Sequence, residues 1–462
     1  MNGYYSRYAN NLFLTYIFLN VYKIGEVIGI QNGYFLLLFI QSIMFSVGGF
    51  LIYKIADMYF KEKYKIYSIC TWIIYMLIVG LSPHIVLTYS DGIGMFLSLI
   101  LTYIIFKLEN ENINKDKNEI KDDKEKNKLL QKTSITRIIL ILLFTNLSIL
   151  GYYIKPQIII ISIAYVIIKI LNISYLTYMV IKNKNKNKNK NKDEVKGKNI
   201  KARKERIKKE IKYYIIVSIL IIITGCIIYT YIRKANNSMG INVDKEKRFN
   251  ITHYAMLGWN TESKGVFTVK DENFSGKYEK LKDREKANLE ELKRRITEMG
   301  LGGVINQIAR KILTNYNDGT FSGVATFVYI RKEYNIEGIN KELSKFLKNI
   351  YYENGKYNMI YTQIMQCLWI GILIFNMFSY NDGKSTKISI VILSIIGLFI
   401  FEILFEARSR YIFIYVPLYI FLGVIGLKNV LRFFVVKIKG IKNKENVILY
   451  ICENTKMSKG NV

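Results

Sequence analysis

A few short stretches of this chain carry residue types that can do chemistry. Asp91 stands in TYSDGIG, just before a long apolar run. A carboxylate there either caps a helix by accepting backbone N–H groups or faces an open space as a general base or metal ligand. Glu402, Glu406, Arg408 and Arg410 crowd into FEILFEARSRYIFIYVP, residues 401–417. Glu406 and Arg410 are four apart, so on one helix face they would pair. Arginine also suits phosphate, because its planar fork donates two hydrogen bonds at once. Ionisable groups at a membrane boundary are costly and commonly line a substrate path. Lys155 in YYIKPQ is a lone cation that either snorkels to the interface or meets an anionic headgroup. His84 belongs to the same layer, and Asp318 sits in NYNDGTF, where Asp-Gly is an ordinary turn pair. Cys70, Cys226, Cys367 and Cys452, with His84 and His253, show no metal-ligand spacing and no disulfide framework, so no metal site is assigned.

The elements that must position these groups are membrane helices. The chain is 51% hydrophobic yet carries a net charge of +31 over 462 residues. Those facts conflict in a soluble globule and agree when apolar and charged residues alternate in blocks. A bilayer-crossing helix takes roughly 20 mainly apolar residues. The blocks predict an all-α polytopic membrane protein with about nine spans, near 33–55, 66–82, 92–107, 135–151, 157–180, 212–232, 359–379, 387–404 and 410–427. Residues 11–30 carry Lys23 and Glu26 and read as an amphipathic helix lying on the membrane, within an external segment 1–32.

Lys and Arg collect in 56–65, in the linkers 108–134 and 181–211, and in the tail 428–462, whereas 83–91 has neither. The positive-inside rule then puts the N-terminus outside and the C-terminus in the cytoplasm of a cell membrane. The KNKNKN tract reads as a solvated linker of biased composition, and no nucleic-acid partner is expected. Transmembrane regions 33–232 and 359–427 flank a polar segment, 233–358, which lands outside. In it, Leu289, Leu292, Ile296 and Met299, then Val304, Ile305, Ile308 and Ile312, recur at helical spacing on either side of Gly300. Two amphipathic helices capping the membrane part are expected. Pro83, Pro156 and Pro417 fall at or near the outer ends of spans, Pro417 as a break in the ninth.

The pieces YSRYANNL (5–12), LSPHIVLTYSD (81–91), YYIKPQ (152–157), NYNDGTF (315–321) and FEARSRYIFIYVP (405–417) together resemble the GT-C class of integral-membrane glycosyltransferases, near the protein O-mannosyltransferase-like and bacterial lipid-carrier-dependent enzymes. The resemblance implies transfer of a sugar from a polyprenyl phosphate or pyrophosphate carrier to a hydroxyl of a cell-envelope glycan or protein acceptor, outside the cytoplasm. It implies Asp91 as the carboxylate that takes the acceptor proton. Lys155, Arg408 and Arg410 become phosphate partners, with Arg7, Glu406 and His84 beside them. No cofactor is assigned; some enzymes of that class need a divalent metal, and no ligand cluster here demands one. The class begins with a first span and an external loop bearing a key acid, and both are expected to be missing ahead of Tyr8. A flippase for lipid-linked glycans and a truncated, non-catalytic relative remain the alternatives. A transporter should show internal repeats and ionisable groups near the midplane, and neither pattern stands out.

Overall fold

A computed structural model describes residues 2–30, 32–117, 123–187, 194–324, 341–383 and 385–442. Parts of the linkers 108–134 and 181–211, including the centre of the lysine-asparagine tract, lie outside the described residues, as do 325–340 and the tail beyond 442. No strand occurs among the described residues, and the protein is an all-α polytopic membrane protein. That follows from the solvent: in hydrocarbon every backbone N–H and C=O must be satisfied within its own segment, and the helix does this.

Helix α1 is Leu12–Val27, α2 is Gly33–Phe60, and α3 is Lys65–Gly80, which ends in a π-helical turn. Next come α4 (Ser90–Lys117), α5 (Asp123–Ile154), α6 (Ile159–Asn187) and α7 (Glu194–Ser238). The polar segment holds α8 (Ile251–Gly258), α9 (Val269–Gly276), α10 (Leu281–Tyr316) and α11 (Lys341–Tyr351). The chain returns through α12 (Asn358–Asn376), α13 (Thr386–Leu404) and α14 (Val416–Lys442).

Eight helices among the described residues are long and apolar enough to cross a membrane. The expected second span is the exception. It is α3, at Lys65–Gly80 too short for that class. The last span, Ser409–Val435, has 89% of its apolar window buried, and Ser90–Asn110 has 72%. These two form the centre, and the remaining spans turn most of their apolar surface outward, where lipid would meet it. Close approach at the centre uses small residues, as is usual when no hydrophobic drive separates helix from lipid. At Gly426 an added Cβ would stand 1.7 Å from the Phe375 carbonyl oxygen, so α14 and α12 touch backbone to backbone.

Pro417 does not interrupt the last span. It is the second residue of α14, a position where its missing N–H would be unpaired anyway. The chain enters α14 through two 3₁₀ turns, Ser409–Tyr411 and Phe413–Tyr415. Helix α1 does not run through the bundle. Just before it, the Arg7 carbonyl accepts from Phe249 N–H at 2.9 Å, and just after it the Tyr34 hydroxyl donates to Val86 O at 3.0 Å. Both its ends therefore lie at the end of the bundle that carries the loop 81–89. The two expected amphipathic helices of the polar segment are the two halves of α10, broken at Gly300 (φ 59°, ψ −179°), a conformation that belongs almost only to glycine.

Candidate functional site

Three segments far apart in sequence meet at that same end. The first is the loop before α4. Ser82 Oγ accepts from His84 N–H at 3.3 Å, and Pro83 opens a 3₁₀ turn, Pro83–Val86. Gln41 of α2, almost fully buried, donates its amide to the carbonyls of His84, Ile85 and Leu87 at 2.8, 3.0 and 2.9 Å. This pins the loop and delivers Asp91 in the first turn of α4. The second segment is the break between α5 and α6, where Lys155 takes an extended conformation before the turn Pro156–Ile158. The third is residues 405–411.

Lys155 Nζ donates to Asp91 Oδ1, and both residues are buried at 4% exposure. Asp91 is therefore the buried partner of a cation, and neither lysine nor aspartate reaches out to lipid. The same ammonium lies 5.0 Å from the centre of the Tyr411 ring. Arg410 lies over Tyr89 at 5.0 Å and over Tyr411 at 5.5 Å, within electrostatic reach of Asp91, and its Nε is buried without a hydrogen-bond partner among the described residues. Two cations thus face Asp91, and Glu402 also lies within electrostatic reach of Lys155, in a dry setting where charge counts for more than it does in water.

Glu406 and Arg410 do not pair as the four-residue spacing suggests. The chain leaves the helix at Leu404 and is extended at Phe405 and again at Arg408, so the i,i+4 rule has no helix to act on. The Tyr411 hydroxyl donates to Glu406 Oε2 instead, at 2.8 Å. Arg408 is half-buried on the same strip of chain and acts on Tyr411 through space. His84 is almost fully buried, stacked on Phe413 with ring centres 4.0 Å apart. Its Nε2 donates to Phe321 O at 2.9 Å, since a carbonyl only accepts. Burial holds the imidazole below its ordinary range, so it is neutral. Arg7 is held apart from this group: it pairs with Glu272 at 3.0 Å and lies 5.7 Å from the Phe249 ring, tying the N-terminal turn to the polar segment. Asp318 makes an Asx turn, accepting from Thr320 N–H at 2.8 Å and Ser322 N–H at 2.5 Å. The turn puts buried Phe321 against Trp369, at 4.9 Å between ring centres, with φ of 55° at Phe321 and 59° at Ser322.

Two charged residues carry more than their spacing suggests. Glu402, in the last turn of α13, is 1% exposed, and neither carboxylate oxygen has a hydrogen-bond partner among the described residues. It lies within electrostatic reach of Lys155, Lys311 and Glu406. Lys311 of α10 is fully buried and donates to the carbonyls of Ile403 and Phe405 at 2.6 and 2.5 Å, capping the open end of α13. Burial pushes its ammonium down to about 8. No local pattern marks Lys311, which adjoins an apolar face; only the docking of α10 on α13 reveals its role. Tyr89 and Tyr411, which sandwich Arg410, were equally hidden among the 36 tyrosines.

The donor set does not suit a divalent ion. No group of three or more His, Cys, Asp or Glu side chains converges among the described residues, and the central carboxylate is already matched by Lys155. A separate groove of about 390 Å³, lined by Trp259, Lys270, Glu291 and Arg295 among others, shares no residue with this cluster.

A family model described as "Conserved hypothetical integral membrane protein" matches residues 1–431. The chain belongs to that family. The match takes in the site segments and the eight candidate spans up to residue 431, so the cluster belongs to the family region rather than to an appended part. No curated protein and no solved structure matches the chain.

Proposed function

We propose that this family member is a membrane glycosyltransferase that moves a sugar from a polyprenyl-phosphate-type lipid to an acceptor hydroxyl. The observation that carries the reading is the convergence of buried Asp91 and Lys155 and half-buried Arg410 from three separate segments at a single end of the bundle. A structural ion pair needs one cation; here a second cation, with a free Nε, stands by the same carboxylate. That unpartnered donor fits a phosphate oxygen. In the reaction the acceptor oxygen attacks the anomeric carbon. The bond from that carbon to the phosphate oxygen breaks, and the phosphate leaves with the electron pair and stays on its lipid. The acceptor proton passes to Asp91, which is freed as Lys155 turns to the phosphate, while Arg410 stabilises the departing charge. Glu406 and Tyr411 hold one another and fix the turn that presents Arg410.

The reading places the cluster and the polar segment on the non-cytoplasmic face of a cell membrane, with the basic linkers and the C-terminus in the cytoplasm; the distribution of Lys and Arg supports it. Purified protein in nanodiscs, given a radiolabelled polyprenyl-phosphate sugar and a hydroxyl acceptor, should transfer the sugar, and Asp91→Asn should abolish transfer. Movement of the lipid between leaflets without transfer would instead identify a flippase. Neither activity in a correctly folded protein would point to a non-catalytic partner.

A further inference from the structure

We infer that α11 is an interfacial membrane-docking helix that seats its apolar face in the headgroup layer and selects anionic phospholipid. This stands apart from the proposed chemistry. In KELSKFLKNIY, Leu343, Phe346, Leu347 and Ile350 fall on one side at spacings of three and four, and Lys341, Lys345 and Lys348 fall on the other. Leu343, Phe346 and Leu347 are 54%, 52% and 41% exposed. In water that face would be a liability; at a bilayer surface it is the usual design of a helix that lies on the membrane.

The fold fixes where α11 stands. A tight turn joins it to the span Asn358–Tyr380: Tyr357 N–H donates to Asn349 O at 2.9 Å, and Asn358 Nδ2 donates to Ile350 O at 2.9 Å. Gly355 is required there, because an added Cβ would stand 2.3 Å from Asn349 O. The Tyr351 hydroxyl donates to Leu81 O at 2.8 Å, at the end of α3, and the Tyr351 ring meets Tyr361 at 5.2 Å. The helix is thus tied at the level where two membrane helices end. Its apolar face is continuous in sequence with exposed Met359, Ile360 and Ile364 of the adjoining span. A surface held at that level, apolar on one side and lysine-rich on the other, meets lipid, and phosphate-bearing anionic headgroups match its charge.

The full-length protein is reconstituted in phosphatidylcholine nanodiscs, and Phe346→Trp and Leu343→Trp are compared with the parent, whose own indoles are subtracted. Brominated phosphatidylcholine should quench the added indole at either position, and aqueous acrylamide should reach it poorly. At equal mole fraction, brominated phosphatidylglycerol should quench roughly twofold more or better, and Lys345→Gln with Lys348→Gln should remove that excess. Free access to acrylamide without bromolipid quenching at both positions would overturn the proposal, since the face would then be in water. Protection from both quenchers would overturn it in favour of a protein covering. Equal quenching by the two lipids would overturn the anionic selection.

Discussion

Replacing Lys311 with methionine tests whether the polar segment is clamped to the membrane bundle through one buried cation. Lys311 is fully buried and supplies two hydrogen bonds, to Ile403 O and Phe405 O. Methionine keeps much of the volume and leaves both carbonyls without a donor. An unsatisfied buried acceptor costs about 1–3 kcal/mol, so the substitution should cost about 2–6 kcal/mol in all. The pH dependence is a sharper check. The ammonium's pKa is about 8 in the fold against an ordinary 10.5. Between those values the unfolded chain binds the extra proton and the folded one does not. The sign is therefore fixed: parental stability rises with pH from about 8 to about 10.5, by up to about 1.4 kcal/mol per pH unit for this one group. Lys311→Met lacks that contribution, so the difference between the two proteins should widen over the window. Trp259 lies 5.8 Å from Nζ and reports the contact directly. Unfolding in detergent would be followed by its fluorescence at several pH values. Parallel pH slopes for the two proteins, or a loss below about 1 kcal/mol, would refute the clamp.

Asp91→Asn and Lys155→Met should each cost about 3–5 kcal/mol, because each strands a buried charge, and the double variant should cost less than the sum; a denaturant-based double-mutant cycle measures the coupling. His253 is buried against Ser275, Nδ1 to Oγ 2.7 Å, and burial pushes its pKa down to about 4. Its folded value lies below the ordinary 6.5, so the polar segment should lose stability as pH falls from about 6.5 towards 4, and His253→Asn should flatten that slope in a pH-resolved proteolysis series. Gly319→Ala would place a Cβ 2.3 Å from Met365 O, so a loss of about 3 kcal/mol or more is expected, with rapid cleavage in 315–324 as the readout.

The membrane architecture was legible because a span announces itself over about 20 residues, and composition over that length cannot hide. The expected second span is α3, whose apolar run is real and simply shorter than the other eight. The meeting of Asp91, Lys155, His84, Glu406 and Arg410 was also legible, since alternation of spans sends their loops to one end. Pairing was not. Glu406 and Arg410 have the right spacing for a helix that is absent there, and Arg7 lies near the layer yet is spoken for by Glu272. Lys311 and Glu402 act across elements 90 residues apart in the chain, a distance over which local periodicity carries no information.

The break at Gly300 gives α10 two allegiances. Its front half is bound to the outer helices through Arg295, which reaches Asp271 at 2.6 Å and Met256 O at 2.8 Å. Its rear half rests on the bundle through Lys311. No atom would crowd a Cβ at Gly300, and beyond it Gln307 donates to the carbonyls of Gly258 and Asn260 at 3.5 and 3.1 Å, so the outer layer is tied to both halves. The corner therefore calls for glycine by its backbone angle alone, with room to spare for a side chain, while Ala407 N–H donating to Gly265 O at 2.8 Å fastens the outer layer to the strip that carries Arg408 and Arg410.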